Sequence, residues 1–445
     1  MSKKRTLFVG TFILTATGFL SRLIGFFFRM FLSHTFGEEQ VGLYQLTFPL
    51  YALCFSLTAG GIETAIARCT ARKITLGKKN DALKILYLGL GISLLLSFII
   101  LIFVQGNTTF LATQILGDAR SEPLLLTIVY AIPFASVHSC ICGYYFGQKQ
   151  TKIPALSQLI EQVVRVASVY CLYLISIKRN WNISILYAIF GIVIGECCSS
   201  FFCVYVFTHR EKKAHFLFRF REFVPLSKEL MKLSAPLTGS RVLLNVLQSV
   251  EAISIPLRLQ QYGYSVSHAL SNYGVLTGMA LPCILFPSAI TNSVSTMLLP
   301  TVAEIQATKD YRTLKRVIQK VFFSCFSLGM LCCLILVCGG SFIGRHFFHS
   351  QLAGDYLKTL AWICPFLYLN TTLSSMNTGL GMATASFVIN LIGLSIRIVG
   401  VLFLIPVVGM NGYLWGLLLS QLVTCVLFMW HLTRFLSKIW NQKTQ

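Results

Sequence analysis

Hydrophobic runs separated by short polar stretches recur along nearly the whole chain. Each run is long enough to cross the ~30 Å hydrocarbon layer of a bilayer as a helix, since a helix rises about 1.5 Å per residue. We therefore expect an all-α polytopic membrane protein with about twelve transmembrane helices. The predicted spans lie at residues 7–32, 42–67, 85–104, 124–147, 153–177, 183–208, 234–258, 273–299, 318–343, 358–381, 384–405 and 412–436.

Composition agrees with a fold that has lipid as its main solvent. Of the 445 residues, 55% are hydrophobic and 12% are charged, which leaves more apolar surface than a soluble core could bury. The 15 cysteines lie mostly inside apolar runs. We see no CxxC pair and no histidine at metal-ligand spacing among them, so we interpret them as small core residues and predict no metal site.

The net charge of +22 is explained by where the cations lie. If the N-terminus is cytoplasmic, most of the 37 lysines and arginines fall on the inner side, as the positive-inside rule requires. They cluster within residues 68–84, 210–232 and 309–320. We therefore predict a multi-pass protein of the bacterial plasma membrane with both termini in the cytoplasm. The expected surface partners are anionic lipids, and no nucleic acid is expected.

The longest inner loop divides the chain into two halves. Residues 209–233 mix cations with phenylalanines, which is typical of an interfacial helix on the cytoplasmic leaflet. The predicted domains are an N-terminal six-helix lobe at 1–208, this linker, and a C-terminal six-helix lobe at 234–445.

Short echoes between the halves favour an internal repeat. Ser21 and Arg22 in span 1 are matched by Ser240 and Arg241 in span 7. Because each half would start and end inside, the two are predicted to form a parallel repeat. The architecture that this favours is two lobes facing one another across a central cavity.

Five arginines lie inside predicted spans, where each costs about 2.5 to 3.5 kcal/mol unless it faces water, a partner or a ligand. Together with two carboxylates discussed below, they are our candidate substrate-binding residues. The arginines are Arg22 and Arg29 in span 1, Arg165 in span 5, Arg241 in span 7 and Arg397 in span 11.

Span 1 places small and cationic residues on one helical face. Gly18, Arg22, Gly25 and Arg29 recur at i, i+4, i+7 and i+11. The two arginines are about 10 Å apart along the axis, as a ladder of anion sites would be. The alternatives are that Arg29 snorkels to the interface and that Arg22 forms a buried pair with a carboxylate.

Span 7 carries a polar stripe in an otherwise apolar segment. Arg241, Asn245 and Gln248 lie at i, i+4 and i+7, and Glu251 lies on the neighbouring face. The stripe predicts either a ligand-binding surface, with Glu251 tuning release, or a hydrogen-bonded seam between helices.

Span 5 contains opposite charges one turn apart. Glu161 and Arg165 at i and i+4 are predicted to neutralise each other, and Glu161 is the second carboxylate that could tune ligand release. Glu63, Glu196 and Arg397 are isolated in their spans, and the sequence does not choose their partners.

Arginine suits phosphate because its planar guanidinium donates paired hydrogen bonds and stays charged in a low dielectric. A surplus of intramembrane arginine therefore predicts an anionic substrate. A diphosphate headgroup on a long lipid fits best, because such a headgroup cannot cross hydrocarbon unaided.

Six segments carry a family resemblance, at residues 21–29, 36–44, 240–256, 273–282, 285–287 and 300–304. They resemble the stage V sporulation protein B family, which belongs to the multidrug, oligosaccharidyl-lipid and polysaccharide (MOP) exporter superfamily and is similar to lipid II flippases. The resemblance implies a V-shaped two-lobe transporter in which arginines of the first helix engage the headgroup, here Arg22 and Arg29. Family members commonly have fourteen spans, whereas about twelve are predicted here. The resemblance therefore does not extend to a lipid-tail groove built from the last two spans of the family.

The expected function is a flippase that moves a lipid II-like, polyprenyl-diphosphate-linked precursor to the outer leaflet by alternating access. Synthesis of the spore cortex is one process in which such a flippase would act. We expect a monomer without a cofactor, coupled to the membrane potential, Na⁺ or H⁺. The alternatives are a drug or cation antiporter of the same superfamily and a non-transporting scaffold of cell-wall assembly. An enzyme is not expected, because the short outer loops present no catalytic set.

Overall fold

The computed structural model describes residues 3–211, 220–307 and 311–443, and these ranges are helical without strands. We number twelve helices in chain order. The first six are α1 at 3–36, α2 at 38–75, α3 at Lys79–Gly106, α4 at Glu122–Ile128 and Ala131–Gly147, α5 at Lys152–Lys178 and α6 at Leu186–Arg210. The second six are α7 at Phe220–Gln261, α8 at Val266–Leu285 and Ser288–Ala307, α9 at Tyr311–Phe347, α10 at Gln351–Ala361 and Cys364–Gly379, α11 at Ala383–Val408 and α12 at Met410–Lys443.

Breaks in the helices have local causes. Gly37 separates α1 from α2 with φ +77°, a left-handed conformation that glycine adopts without strain. The two parts of α8 meet at a bend of 56° beside Pro287, where proline cannot donate to the helical ladder. Turns of π-helix interrupt α2 at Ser56–Gly60 and α8 at Val275–Ala280, and such turns shift the regular backbone pairing.

The predicted membrane class is confirmed. Among the described residues, eight helices are long and apolar enough to span a bilayer, and two bent pairs raise the number to ten. The first of the eight, Thr15–Thr75, includes most of α1 and all of α2. The remaining helix, α10, consists of two shorter parts of 11 and 16 residues. Each predicted span thus corresponds to one of the twelve helices. Apolar side chains such as Ile102 and Phe201 are largely exposed on the helix surfaces, as lipid contact requires.

The chain divides into two compact units. Unit 1 contains residues 1–28 and 43–253, and unit 2 contains 29–42 and 254–445. Most of α7 therefore belongs to unit 1, and the C-terminal end of α1 belongs to unit 2. The domain boundary at 209–233 stays a prediction, and residues 212–219 within it lie outside the described residues.

Unit 1 is held together by an apolar core with a hydroxyl seam. The core is formed by side chains of α2, α3, α4, α6 and α7, with Ile153 from α5. Across it, Ser93 donates to the carbonyl oxygen of Thr58 at 2.7 Å, and the hydroxyls of Ser97 and Ser136 are 2.7 Å apart. These bonds satisfy polar groups that would be costly to leave unpaired in an apolar interior.

Unit 2 has its own core, made by α8, α9, α10, α11 and α12. Hydrogen bonds between uncharged groups connect its helices. Tyr368 donates to the carbonyl oxygen of Ile284 at 2.7 Å, and Asn370 donates to Oε1 of Gln421 at 2.8 Å.

The interpretation of the cysteines as core residues is confirmed for most of them. Of the 15 free cysteines, 11 are buried.

Candidate functional site

Two helices of unit 1 cross at a glycine directly after the π-turn of α2. A Cβ atom at Gly61 would lie 2.6 Å from the backbone nitrogen of Thr238 on α7. Only a residue without a side chain allows the backbones to approach so closely. This close approach places the next turn of α7 against the π-turn.

Arg241 is anchored at this crossing by two oxygen atoms of α2. Its Nη1 atom donates to the carbonyl oxygen of Gly60 at 2.6 Å, and its Nη2 atom donates to Oγ1 of Thr64 at 2.9 Å. Both acceptors are neutral. Glu63 is near enough to interact electrostatically, but no carboxylate in the described ranges forms an ion pair with Arg241. The guanidinium is therefore oriented while its positive charge is kept.

Further along α7, polar side chains continue to donate to backbone carbonyls of α2. Asn245 reaches the oxygen of Ala52 at 3.4 Å, and Ser249 reaches the oxygen of Pro49 at 3.0 Å. The polar stripe is thus a hydrogen-bonded seam at these positions. Sequence reasoning missed Ser249, although it lies at i+8 from Arg241. Gln248 is exposed, and Glu251 is buried.

The cationic face predicted for α1 is divided between the two units. Arg22 lies in unit 1 and is exposed, and Gly25, one turn later, approaches Gln162 of α5, where a Cβ would lie 3.3 Å from Nε2. Arg29 lies in unit 2 and donates to the carbonyl oxygen of Thr277 in the π-turn of α8, at 3.2 Å. A ladder that joins the two arginines stays a prediction.

The ion pair predicted within α5 is confirmed. Arg165 donates to Glu161 through Nη2, and both side chains are mostly buried. Glycines of α6 allow that helix to pack closely here, since a Cβ at Gly195 would lie 2.8 Å from the carbonyl oxygen of Glu161. Each charge neutralises the other, so this pair is poorly suited to attract a ligand.

Glu196 is not isolated, because His138 of α4 faces it. The Oε2 atom of Glu196 lies 3.3 Å from Nδ1 of His138. One ligand-type atom each of His138, Glu161 and Glu196 lie within 4.8 Å of one another. Together with Arg165 they form a buried charge cluster among α4, α5 and α6. Sequence reasoning did not consider His138, whose partners come from other helices.

His138 also stands beside two cysteines. Cys142 follows it by four residues on α4, and Cys203 of α6 completes a group whose ligand atoms lie within 4.8 Å of one another. The expectation that no histidine lies at metal-ligand spacing from a cysteine is therefore wrong for His138 and Cys142. The i, i+4 spacing was readable from the sequence, whereas the approach of Cys203 was not.

The remaining candidate, Arg397, lies half-buried on α11 in unit 2. Within unit 1 the structure thus separates two kinds of charge. One is the ion pair of Glu161 and Arg165. The other is the cationic Arg241, held on neutral oxygens of α2, with Arg22 exposed in the same unit. Such an oriented guanidinium can donate to an anion such as phosphate.

The fold and the arginines inside its spans define a multi-pass helical membrane protein with charged side chains on apolar helices. The chain belongs to the family described as polysaccharide biosynthesis protein, whose model matches residues 7–306. It is similar to the stage V sporulation protein B of Bacillus subtilis (strain 168), with 29% identity over 415 residues that cover 92% of this chain and 80% of the relative. This agrees with the family resemblance seen in the sequence.

A second relative is the lipid II flippase MurJ of Bacillus subtilis (strain 168), which is 21% identical over 415 residues, 88% of this chain and 76% of that protein. Solved structures share the fold. A lipid II flippase MurJ in an inward closed conformation has a TM-score of 0.74 at 16% identity, covering 96% of this chain and 90% of that chain. An inward-facing MATE family transporter of the MOP superfamily has a TM-score of 0.72 at 15% identity, covering 95% and 96%. These proteins are transporters rather than enzymes.

Proposed function

We propose that this protein is a flippase that moves an anionic, lipid-linked glycan precursor of the cell envelope from the inner to the outer leaflet. The substrate class is a polyprenyl diphosphate that carries a sugar unit. Its diphosphate is bound by arginine within the spans, and its lipid tail stays in the bilayer while the headgroup crosses by alternating access.

The observation that carries the proposal is the environment of Arg241. Its guanidinium is fixed by Gly60 and Thr64 through neutral oxygens, so it is oriented without losing its charge. A diphosphate needs such donors, because the loss of its hydration must be offset by charge-assisted hydrogen bonds. Arg22 of the same unit is the second proposed contact, and binding roles for Arg29 and Arg397 stay predictions from the sequence.

The pairing of Glu161 speaks against the antiporter alternative. A site for a cationic drug needs an acidic side chain that is not already neutralised. In unit 1, Glu161 is paired with Arg165, so this carboxylate is not available to a cation. The fold alone does not separate the two functions, since MurJ and MATE structures match it almost equally well.

The proposal includes the setting of the cycle. Both termini face the cytoplasm, the protein acts as a monomer, and inner cations contact anionic lipid headgroups. Some of these cations are held by protein carboxylates, since Lys73 pairs with Glu229 at 2.8 Å and Lys79 pairs with Glu211 at 2.9 Å. The membrane potential or a gradient of Na⁺ or H⁺ biases the cycle, because one charge moved through 100 mV is worth about 2.3 kcal/mol.

Reconstitution into liposomes tests the proposal. The purified full chain is expected to speed the translocation of a fluorescent polyprenyl diphosphate glycan, read by quenching of the outer leaflet. A scaffold would not speed translocation, so an inactive, folded wild-type protein would overturn the proposal. A lipid mass spectrum of the purified protein is expected to contain a polyprenyl diphosphate glycan.

Charge reversal locates the site. Arg22→Glu is expected to abolish flipping while the protein remains inserted and folded. The matched control is Arg179→Glu, which reverses a charge at the end of α5, where Arg179 stacks on Trp181. Full activity of Arg22→Glu would remove Arg22 from the site.

A further inference from the structure

A cluster of metal-ligand side chains lies inside unit 1, separate from Arg241. His138 and Cys142 are one turn apart on α4, and Cys203 comes from α6. One ring nitrogen and the two sulfur atoms all lie within 4.8 Å of one another. Both cysteines belong to the apolar core of the unit and are buried.

The histidine ring is fixed on both edges. Its Nδ1 atom lies 3.3 Å from Oε2 of Glu196, and its Nε2 atom lies 2.9 Å from Oγ of Ser157. That hydroxyl is in turn 3.5 Å from Sγ of Cys142, so the Nε2 edge faces the thiols. A histidine that binds a metal typically donates its other ring N–H to a carboxylate, and Glu196 occupies that place.

The distances are close to those of a tetrahedral zinc site. Zn–S bonds of about 2.3 Å and Zn–N bonds of about 2.0 Å place neighbouring ligand atoms about 3.7 Å apart. Side-chain movements of about 1 Å or less would bring the three atoms from within 4.8 Å to that spacing. Oγ of Ser157 or a water molecule would take the fourth position.

We propose that His138, Cys142 and Cys203 bind a soft, thiolate-preferring metal ion of the Zn²⁺ class and so clip α4 to α6. On binding, each cysteine thiol releases its proton to solvent, and both sulfurs bind as thiolates. Two thiolates and one divalent ion sum to zero charge, which suits an apolar core. The other nearby triad, His138 with Glu161 and Glu196, is less suited, because Glu161 is committed to Arg165.

Cobalt is the probe for the first test, since Co²⁺ replaces Zn²⁺ and gives visible and thiolate charge-transfer bands. The purified full-length protein is expected to show these bands, and added Zn²⁺ should remove them. Cys142→Ser and Cys203→Ser are each expected to abolish the thiolate band or reduce it by about half. Cys140→Ser is the matched control, because Cys140 lies two residues from Cys142 on another side of α4. An absent band in the wild type, or an unchanged band in both variants, would overturn the proposal.

The contact between Glu196 and the ring of His138 gives a second test of the metal site. Glu196→Gln is expected to keep the thiolate band but to weaken metal affinity about 10–100-fold, because the carboxylate only orients the ring. Affinity equal to that of the wild type would contradict the assigned orientation of His138.

A measurement on the unchanged protein avoids variants that fail to fold. A small permeant thiol reagent is applied with and without Zn²⁺, and each cysteine is read by mass spectrometry. Zn²⁺ is expected to slow the labelling of Cys142 and Cys203 and to leave the buried Cys140 and Cys69 as they were. Equal slowing at all four cysteines, or at none, would overturn the metal site.

Discussion

Two regions of unit 1 hold an arginine inside the membrane spans, and they treat its charge in opposite ways. Arg165 is paired within its own helix with Glu161, and His138 and Glu196 lie beside this pair. Arg241 instead donates to Gly60 and Thr64, whose oxygens are neutral. In the first arrangement, two opposite charges neutralise each other in the low-dielectric interior. In the second, hydrogen bonds orient the guanidinium group, which keeps its positive charge.

The difference separates structural arginines from those that can bind an anion. A paired charge would have to give up its partner before it attracted a ligand, whereas Arg241 already has its charge and part of its orientation. In unit 2, Arg29 donates to the carbonyl oxygen of Thr277 in a π-turn. In each unit an arginine thus donates to a backbone carbonyl oxygen at a π-turn, where the regular helical hydrogen bonding is interrupted.

The largest effect is expected where the compensated charge is broken. Glu161→Gln leaves Arg165 buried without its partner, so the free energy of unfolding should fall by about 3–5 kcal/mol. Denaturant titration in detergent measures it. The double variant Glu161→Gln/Arg165→Gln should recover much of the loss, and a double variant as unstable as the single one would show that the pair is not the cause.

At Arg241 we expect a smaller loss of stability than at Glu161 but a loss of function. Arg241→Gln removes charge-assisted hydrogen bonds to two neutral oxygens, so stability should fall by only about 1.5–3 kcal/mol. Flipping should be lost, because the oriented charge is gone. Thermal unfolding and the liposome assay on the same preparation check both expectations, and retained flipping would place the anion site elsewhere.

The close approach of α2 and α7 can be tested by adding one methyl group. Gly61→Ala should destabilise the protein by about 1–3 kcal/mol, because the new Cβ would overlap the backbone of Thr238. Gly91→Ala on α3 is the control, since a Cβ there meets nothing within 4 Å. Equal melting temperatures of the two variants would contradict the tight crossing.

The smallest effect is expected along the seam. Ser249→Ala removes the hydroxyl that donates to the carbonyl oxygen of Pro49 at 3.0 Å, which should lower stability by about 0.5–1.5 kcal/mol. Flipping should be unaffected, and its loss would extend the functional region beyond Arg241.

Much of the fold could be predicted from the sequence, because hydrophobic runs of bilayer length identify helices directly. The pair Glu161–Arg165 was also predictable, since both residues lie on one helix at i and i+4. The partners of Arg241 could not be predicted. Gly60 contributes only a backbone oxygen, and no property of the sequence shows where a π-turn presents it.

The same limit applies to the charge cluster. The sequence leaves Glu196 isolated in its span because His138 approaches it from another helix, and such contacts depend on packing rather than on spacing along the chain. In span 1, Arg22 and Arg29 lie on one helical face but belong to different units, so their joint site stays a prediction.

The measurement that tests the central claim most directly compares binding of a polyprenyl diphosphate to two variants of the purified protein. Arg241→Gln is expected to weaken binding about tenfold or more, since it removes an oriented donor to phosphate. Glu161→Gln/Arg165→Gln is expected to bind as the wild type does. Weaker binding by the double variant together with unchanged binding by Arg241→Gln would contradict the account.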